Sequence, residues 1–306
     1  MSKPRIAITL GDPAGIGPEI VFRAVNSLKV KRVCSPVIFG DRQNLNKYFK
    51  SRKNCELIES SFVKKKIYMG RPSALSGKAA LSAIEKAVES CVKGYAEALV
   101  NAPVSKESFK LAGSNYPGHT ELLADLTNSK EVAMMMVCGK ICGAMVTRHI
   151  PLSAISSNIK TKDIVGTVMI AHAFFNKRGK KNIRTVLCAL NPHASDNGIL
   201  GIEEKKFIFP AYEILKKAGI DISKPQPADS AWLKTKNGEY DLICTMYHDQ
   251  LMIPLKCIDA KKIVNVTAGL PFVRTSPGHG TAFDIAGKGK ASPDSIIEAI
   301  LYAAGK

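Results

Sequence analysis

Short apolar runs alternate with longer amphipathic ones along this 306-residue chain. That is the pattern of helices crossing over a largely parallel sheet. Residues 6–10, Ile-Ala-Ile-Thr-Leu, read as the first strand. Gly11-Asp12-Pro13-Ala14-Gly15-Ile16-Gly17 turns out of it, and Pro18 suits the first turn of a helix reaching about Ser27. Residues 37–39 predict a strand and residues 42–50 a helix. Between Leu75 and Val92, apolar Leu81, Ile84, Val88 and Val92 recur at three- and four-residue spacing, which predicts a longer helix. Residues 98–100 form a further strand, opening onto the polar loop Asn101-Ala102-Pro103-Val104-Ser105-Lys106.

The middle of the chain differs. Residues 132–138 and 142–147 are strand candidates separated only by Gly139-Lys140-Ile141, an antiparallel hairpin that starts a second domain or a dimer-forming insert. Helices are expected over 159–176, over 203–218 (closed by Gly219) and over 293–304, with strands over 184–190, 241–246 and 263–267. The reading is two interleaved α/β domains. Residues 1–130 join 268–306 in one, on the cofactor side, and residues 131–267 form the other, with the dimer interface.

Composition narrows the class. A 45 % hydrophobic and 23 % charged chain folds as an ordinary globular protein. The net charge of +18 raises nucleic acid, an anionic membrane or a phosphorylated substrate as partners. The basic residues are dispersed, however, with Lys64-Lys65-Lys66 the one tight run, and aromatics are not interleaved with them as a stacking platform requires. A lysine-rich solvated surface explains the charge, and neither nucleic acid nor membrane is expected as a partner. Eight cysteines without CxxC pairing read as reduced and mostly buried. With neither a signal-peptide core nor a spanning apolar segment at the start, the expectation is a soluble cytoplasmic protein.

Candidate chemistry enters with the histidines. His149, His193 and His248 each appear within three residues of the end of an apolar strand. In open α/β sheets, ligands bind at the carboxyl ends of the strands. Three neutral imidazoles there make a divalent metal site with room for water or substrate, whereas any one alone reads more simply as a loop residue. Asp249, Gln250 and Lys256 follow His248 closely and suit the same loop. His119 precedes an amphipathic helix that Thr120 can cap. His279 opens a glycine-dense stretch that lets backbone approach a flat or phosphorylated cofactor. Neither GxGxxG after a strand nor GxxxxGK[ST] is present.

Taken together, these segments resemble the 4-hydroxythreonine-4-phosphate dehydrogenase family of pyridoxal phosphate (vitamin B6) biosynthesis. The matching stretches are Gly11-Asp12-Pro13-Ala14-Gly15-Ile16-Gly17-Pro18-Glu19, the loop beginning at Asn101, Gly118-His119-Thr120-Glu121, and Thr147-Arg148-His149-Ile150-Pro151-Leu152. Asn191-Pro192-His193-Ala194, Tyr247-His248-Asp249-Gln250 and Gly269-Leu270-Pro271-Phe272-Val273-Arg274-Thr275-Ser276 follow in family order. Residues 280–289 are similar to the adenine-side loop of isopropylmalate and isocitrate dehydrogenases. The resemblance implies that α/β fold, with the active site in the cleft between two domains.

It implies roles as well. His149, His193 and His248 match the family's ligands for one divalent ion per subunit (zinc, magnesium or cobalt), at a site shared across a homodimer. His119, Thr120, Lys256, Asn265 and Arg274 match its substrate-binding positions. Lys256, His248 and Asp249 are the catalytic candidates, and Gly280, Thr281 and Asp284 the candidates for NAD or NADP. The implied reaction is oxidation of 4-phosphooxy-L-threonine followed by decarboxylation to 3-amino-2-oxopropyl phosphate. A paralogue acting on a phosphorylated threonate or erythronate is the alternative. A histidine-metal hydrolase would turn over without nicotinamide and leave residues 280–289 unexplained. The chain departs from the family pattern at Leu251, where glycine usually stands, and at Ser195-Asp196, in place of a usual Gly-Glu.

Overall fold

The computed structural model describes residues 3–49, 55–61, 65–116 and 118–306. The chain divides into two compact units. The first is Met1–Lys130, Val264–Val266 and Leu270–Lys306; the second is Glu131–Ile263 and Thr267–Gly269.

The first unit begins with β1 (Arg5–Thr9), α1 (Gly17–Asn26), α2 (Leu28–Val33), β2 (Ser35–Asp41), α3 (Arg42–Tyr48) and β3 (Glu56–Ser61). It continues with α4 (Ala74–Val92), β4 (Ala98–Asn101), α5 (Lys106–Leu111) and α6 (His119–Leu126). In β1, Ile6, Ala7 and Ile8 are wholly buried, as expected of a strand covered on both faces. Ser73 caps α4, its hydroxyl accepting from the Ser76 amide. The buried face of that helix differs from the one its larger apolar residues predict. Ile84 and Val88 are buried as expected, but Val92 is exposed, and Ala79, Ala80, Ala83 and Ala87 do most of the packing. Small side chains let α4 approach closely. At Gly77 a Cβ would lie 2.0 Å from the Ser108 carbonyl oxygen of α5.

The second unit contains β5 (Ala133–Cys138), β6 (Ile141–Met145), α7 (Ile155–Asn158), α8 (Thr161–Lys177) and β7 (Thr185–Leu187). After them come α9 (Phe209–Lys217), α10 (Ala228–Lys236), β8 (Leu242–Thr245) and α11 (His248–Asp259). The expected hairpin is present: β5 and β6 pair antiparallel around Gly139, whose φ of +59° suits glycine. β6 and β7 each pair parallel with β8. One core cluster joins Met134, Trp232 and Leu251; another joins Ile164, Leu187 and Ile208. β7 is shorter than expected because the next backbone groups take other partners. Cys188 N still donates to Cys244 O of β8 at 2.9 Å, but Ala189 N donates to Gln226 O and Gln250 Nε2 donates to the Ala189 oxygen, each at 2.8 Å.

The stretch after β8, expected as a loop, is the start of α11. Gln250, Leu251, Met252 and Leu255 supply its buried face. Pro254 lies inside this helix and cannot donate to the oxygen of Gln250, four residues back. Trp232 Nε1 donates to that oxygen instead, at 2.8 Å. One indole thus compensates for one proline.

The last elements are β9 (Ile263–Ala268), whose residues fall in both units, then β10 (Val273–Pro277) and α12 (Asp294–Ala303) in the first. The parallel strand order of the first unit is β3-β2-β1-β4-β10. Thr275 of β10 donates to the Ala299 oxygen of α12 at 2.8 Å. Among the described residues, no helix is long and apolar enough to cross a membrane. All eight cysteines are unbridged, and Cys257 is the exposed one.

Candidate active site

The candidate side chains fall into two groups, one in each unit. In the second unit, hydrogen bonding between the chain segments continues past the ends of β6 and β8. Val146 N donates to Thr245 O, Thr147 N to Met246 O, and Thr147 Oγ1 to the same Met246 oxygen at 2.7 Å. This brings His149, after β6, next to His248, the first residue of α11. Their ring centroids are 5.6 Å apart, with planes inclined at 45°. His248 Nδ1 lies 2.7 Å from Asp249 Oδ1. With the carboxylate accepting, the proton sits on Nδ1 and the Nε2 lone pair is left for a ligand. A cavity of about 240 Å³ opens here, lined by Arg148, His149, Leu152, Tyr247, His248 and Asp249.

His193 stands apart, exposed on the turn Pro192–Gly198. Five successive residues of that turn, His193 to Asn197, have φ between 43° and 69°, and none is glycine. Residues other than glycine visit this region singly as a rule, so the turn is built against its local preference. Ser195, one of the two departures noted there, is buried at the turn's centre. Among the described residues, no group of three or more His, Cys, Asp or Glu side chains is arranged to hold a metal ion. The pair His149 and His248 thus offers two neighbouring imidazoles. Its donor set, two imidazoles with one tautomer fixed by a carboxylate, fits a divalent cation of the zinc or cobalt type. Lys256 is exposed on α11, about 12 Å along the helix axis from His248 at the usual rise per residue.

In the first unit, Thr9 and Asn101 end two adjacent strands and lie in register. Asn101 Nδ2 donates to Thr9 Oγ1 at 3.2 Å, and Arg274 Nε donates to Asn101 Oδ1 at 2.8 Å. Arg274 is only 1 % exposed, and burial pulls its pKa down to about 9. His119 begins α6 after an extended Gly118, so Thr120 lies inside the first turn and does not cap it. The His119 ring is stacked edge-on to Phe109, and its Nε2 is buried without a hydrogen-bond partner. Burial, with the Arg274 charge nearby, holds its pKa well below the usual histidine value. Asn265 of β9 likewise leaves its buried Oδ1 unmet. Such orphaned polar atoms are what a polar ligand satisfies.

The cofactor candidates lie on a rim of stacked loops in the first unit. Ile16 N donates to Thr281 O at 3.0 Å, and Gly70 N to Ala14 O at 2.8 Å. A Cβ on Gly15 would lie 2.9 Å from that Thr281 oxygen, so the glycine lets the two loops meet. Gly280 is exposed with nothing near its missing Cβ, and Asp284 is exposed in the short turn Phe283–Ile285. An open glycine beside a firmly held backbone fits the flat approach of a nicotinamide dinucleotide.

Sequence reasoning passes over several residues of these groups. Asn101 and Thr9 end apolar runs just as the histidines follow them, a signal that points to Asn101. Asp12 is fully buried, accepts the Ala14 amide at 2.9 Å, and has its pKa raised chiefly by burial. Glu204, also fully buried, accepts from the Leu190 amide, the Asn191 amide and Asn191 Nδ2.

The family profile for "Pyridoxal phosphate biosynthetic protein PdxA" matches residues 32–303. A 4-hydroxythreonine-4-phosphate dehydrogenase of Sulfurihydrogenibium sp. is 42 % identical over 97 % of this chain and 96 % of its own. The D-threonate 4-phosphate dehydrogenase of Salmonella typhimurium is 37 % identical over 99 % of each. The crystal structure of 4-hydroxythreonine-4-phosphate dehydrogenase from Klebsiella pneumoniae superposes with a TM-score of 0.91 at 33 % identity, over 99 % of this chain and 100 % of that one. At the level of fold alone, isocitrate dehydrogenase from Methylococcus capsulatus matches with a TM-score of 0.51 at 17 % identity, over 99 % of this chain and 88 % of that one. The expected fold class is borne out, and the chain belongs to the PdxA family of dehydrogenases.

Proposed function

We propose that this chain oxidises 4-phosphooxy-L-threonine with NAD or NADP and then decarboxylates the product to 3-amino-2-oxopropyl phosphate. The observation that carries the chemistry is the His149–His248 pair with Asp249 fixing the His248 tautomer. These two imidazoles would hold a divalent ion, with His193 of a second copy of the chain completing the set in a homodimer, and the bound ion would supply positive charge where the substrate's oxygen becomes negative.

The chain's own residues do the rest. Arg274, fixed at Nε by Asn101 and screened from water, presents its guanidinium to the phosphate or carboxylate of the substrate. His119, kept neutral at physiological pH, offers Nε2 as a hydrogen-bond partner without adding charge. Thr120 and Asn265 complete the polar lining. The loop of Gly280, Thr281 and Asp284 would hold the adenine side of the dinucleotide, whose nicotinamide would take the hydride from the substrate carbinol carbon, and the hydroxyl proton leaves to a base. Loss of carbon dioxide then returns an electron pair to the adjacent carbon, which takes up a proton. Lys256 serves either this proton transfer or the grip on phosphate. The pH profile of kcat in Lys256→Met separates the two, since only the first role moves it.

The D-threonate 4-phosphate reading rests on the Salmonella relative. The two substrates differ in an amine against a hydroxyl beside the carboxylate. Steady-state formation of reduced nicotinamide from each decides between them, and no turnover of 4-phosphooxy-L-threonine overturns the first reading. For the metal, His248→Ala is expected to stay folded, because its side chain is 37 % exposed. It should lose bound zinc and all metal-dependent turnover; unchanged metal stoichiometry removes His248 from the ligand set.

A further inference from the structure

We propose that Glu204 is a positioning residue: its buried carboxylate forces the Pro192–Gly198 turn into its left-handed form and so presents His193. The inference rests on the reading of His193 as a metal ligand. Five consecutive left-handed residues without glycine need a restraint from outside the turn. Glu204 supplies it. One of its oxygens, Oε1, accepts the Leu190 amide at 2.9 Å and the Asn191 amide at 2.8 Å, while Oε2 accepts Asn191 Nδ2, also at 2.9 Å.

A second restraint shares the same side chain. Asn191 Nδ2 also donates to Glu203 Oε2 at 2.9 Å, and Ser156 donates to the other oxygen of Glu203. Gly201 has φ +130°, and a Cβ there would lie 2.5 Å from Asn191 Nδ2 and 2.7 Å from Glu203 Oε2. The clamp therefore fits only around a glycine. With every donor of Asn191 drawn back toward residues 203–204, the chain leaves Asn191 in one direction. The turn then closes on itself, Leu200 N donating to Ser195 O at 3.0 Å. Glu204 itself opens a π turn, Glu204–Ile208, a local widening frequent at functional sites.

The test uses the full-length protein without metal, then zinc(II) or cobalt(II) alone. Glu204→Ala should speed amide exchange across residues 190–201 about tenfold or more, with the rest of the unit little changed. It should weaken zinc binding by about 10- to 100-fold, the usual effect of losing a residue that orients a ligand. The cobalt(II) visible spectrum of Glu204→Ala should match that of His193→Ala, a signature that a general loss of stability does not produce. Glu204→Gln keeps an acceptor for both backbone amides but sets its amide nitrogen against that of Asn191, and should fall between. If Glu204→Ala fails to fold, Glu204→Gln carries the same comparison. Exchange at 190–201 that stays at the wild-type rate overturns the proposal, as does faster exchange with wild-type zinc affinity. A wild-type protein that binds no zinc overturns the metal reading alone, because the exchange measurement still judges the clamp.

Discussion

Leu251 occupies the space that a side chain on Gly143 would need: a Cβ built on the glycine lies 2.2 Å from Leu251 Cδ1. The leucine is fully buried, on the face of α11 that covers β6. A residue that stands where the family usually has glycine is thus paired with a glycine opposite. Leu251→Ala should cost about 2–5 kcal/mol of stability through the cavity it opens. Gly143→Ala should cost about 1–3 kcal/mol through overpacking. In the double variant the costs should fail to add by at least about 0.5 kcal/mol, since each change relieves the other. Urea denaturation of the four proteins measures this, and strict additivity refutes the contact.

Arg274→Lys should raise the Michaelis constant for the phosphorylated substrate about tenfold or more while kcat changes less, because the ammonium cannot reproduce the fork that Asn101 orients. Asn101→Ala should shift the same constant in the same direction by a smaller factor. Steady-state kinetics on both variants checks the pairing. An unchanged constant in Arg274→Lys argues against an anion contact.

The folded-state pKa of His119 lies well below that of an unfolded histidine, first from burial and then from Arg274. As pH falls through about 6.5, the unfolded chain gains a proton there and the native protein does not. Stability is therefore lost on acidification, by at most about 1.4 kcal/mol per pH unit from this residue, until the native pKa is reached. His172 acts in the same sense, also through burial. Comparing wild type and His119→Asn by urea unfolding at pH 7.5 and 5.5 should show a smaller acid loss in the variant. Equal losses mean that the ring titrates normally.

Gly15→Ala sets a methyl group 2.9 Å from the Thr281 oxygen, so the loop carrying Gly280 and Asp284 must shift. The Michaelis constant for the nicotinamide cofactor should rise several-fold, about 1 kcal/mol of binding, while that for the phosphorylated substrate stays within about twofold on the same scale. Varying each substrate at saturation of the other measures this. A change confined to the phosphorylated substrate separates these loops from the cofactor.

Hydrophobic patterning makes β1, β2, β4, the β5–β6 hairpin, β8 and β9 legible, because their residues are apolar and buried on both faces. It misses β10, whose Arg274, Thr275 and Ser276 are buried although polar, so periodicity has nothing to register. It misses β3, with two glutamates and two serines among its six residues. Helix α11 reads as a loop because His248, Asp249 and Pro254 mask its apolar face, and the indole that compensates for the proline comes from another helix. The histidines are legible at strand ends. Glu204 is not: it falls in the first turn of the helix expected over 203–218, and only the fold shows that it is sealed from water.

The distribution of the cysteines has a practical use. Burial pushes the thiols of Cys34, Cys91, Cys142 and Cys244 up to about 12 and that of Cys188 well above the usual thiol value, so at neutral pH they hold almost no reactive thiolate. Cys138 is buried and Cys55 partly so, which leaves Cys257 as the exposed thiol. It follows Lys256 on the helix that begins with His248. A maleimide fluorophore added to the unmodified protein therefore labels that helix first, placing a reporter on the element that begins with His248.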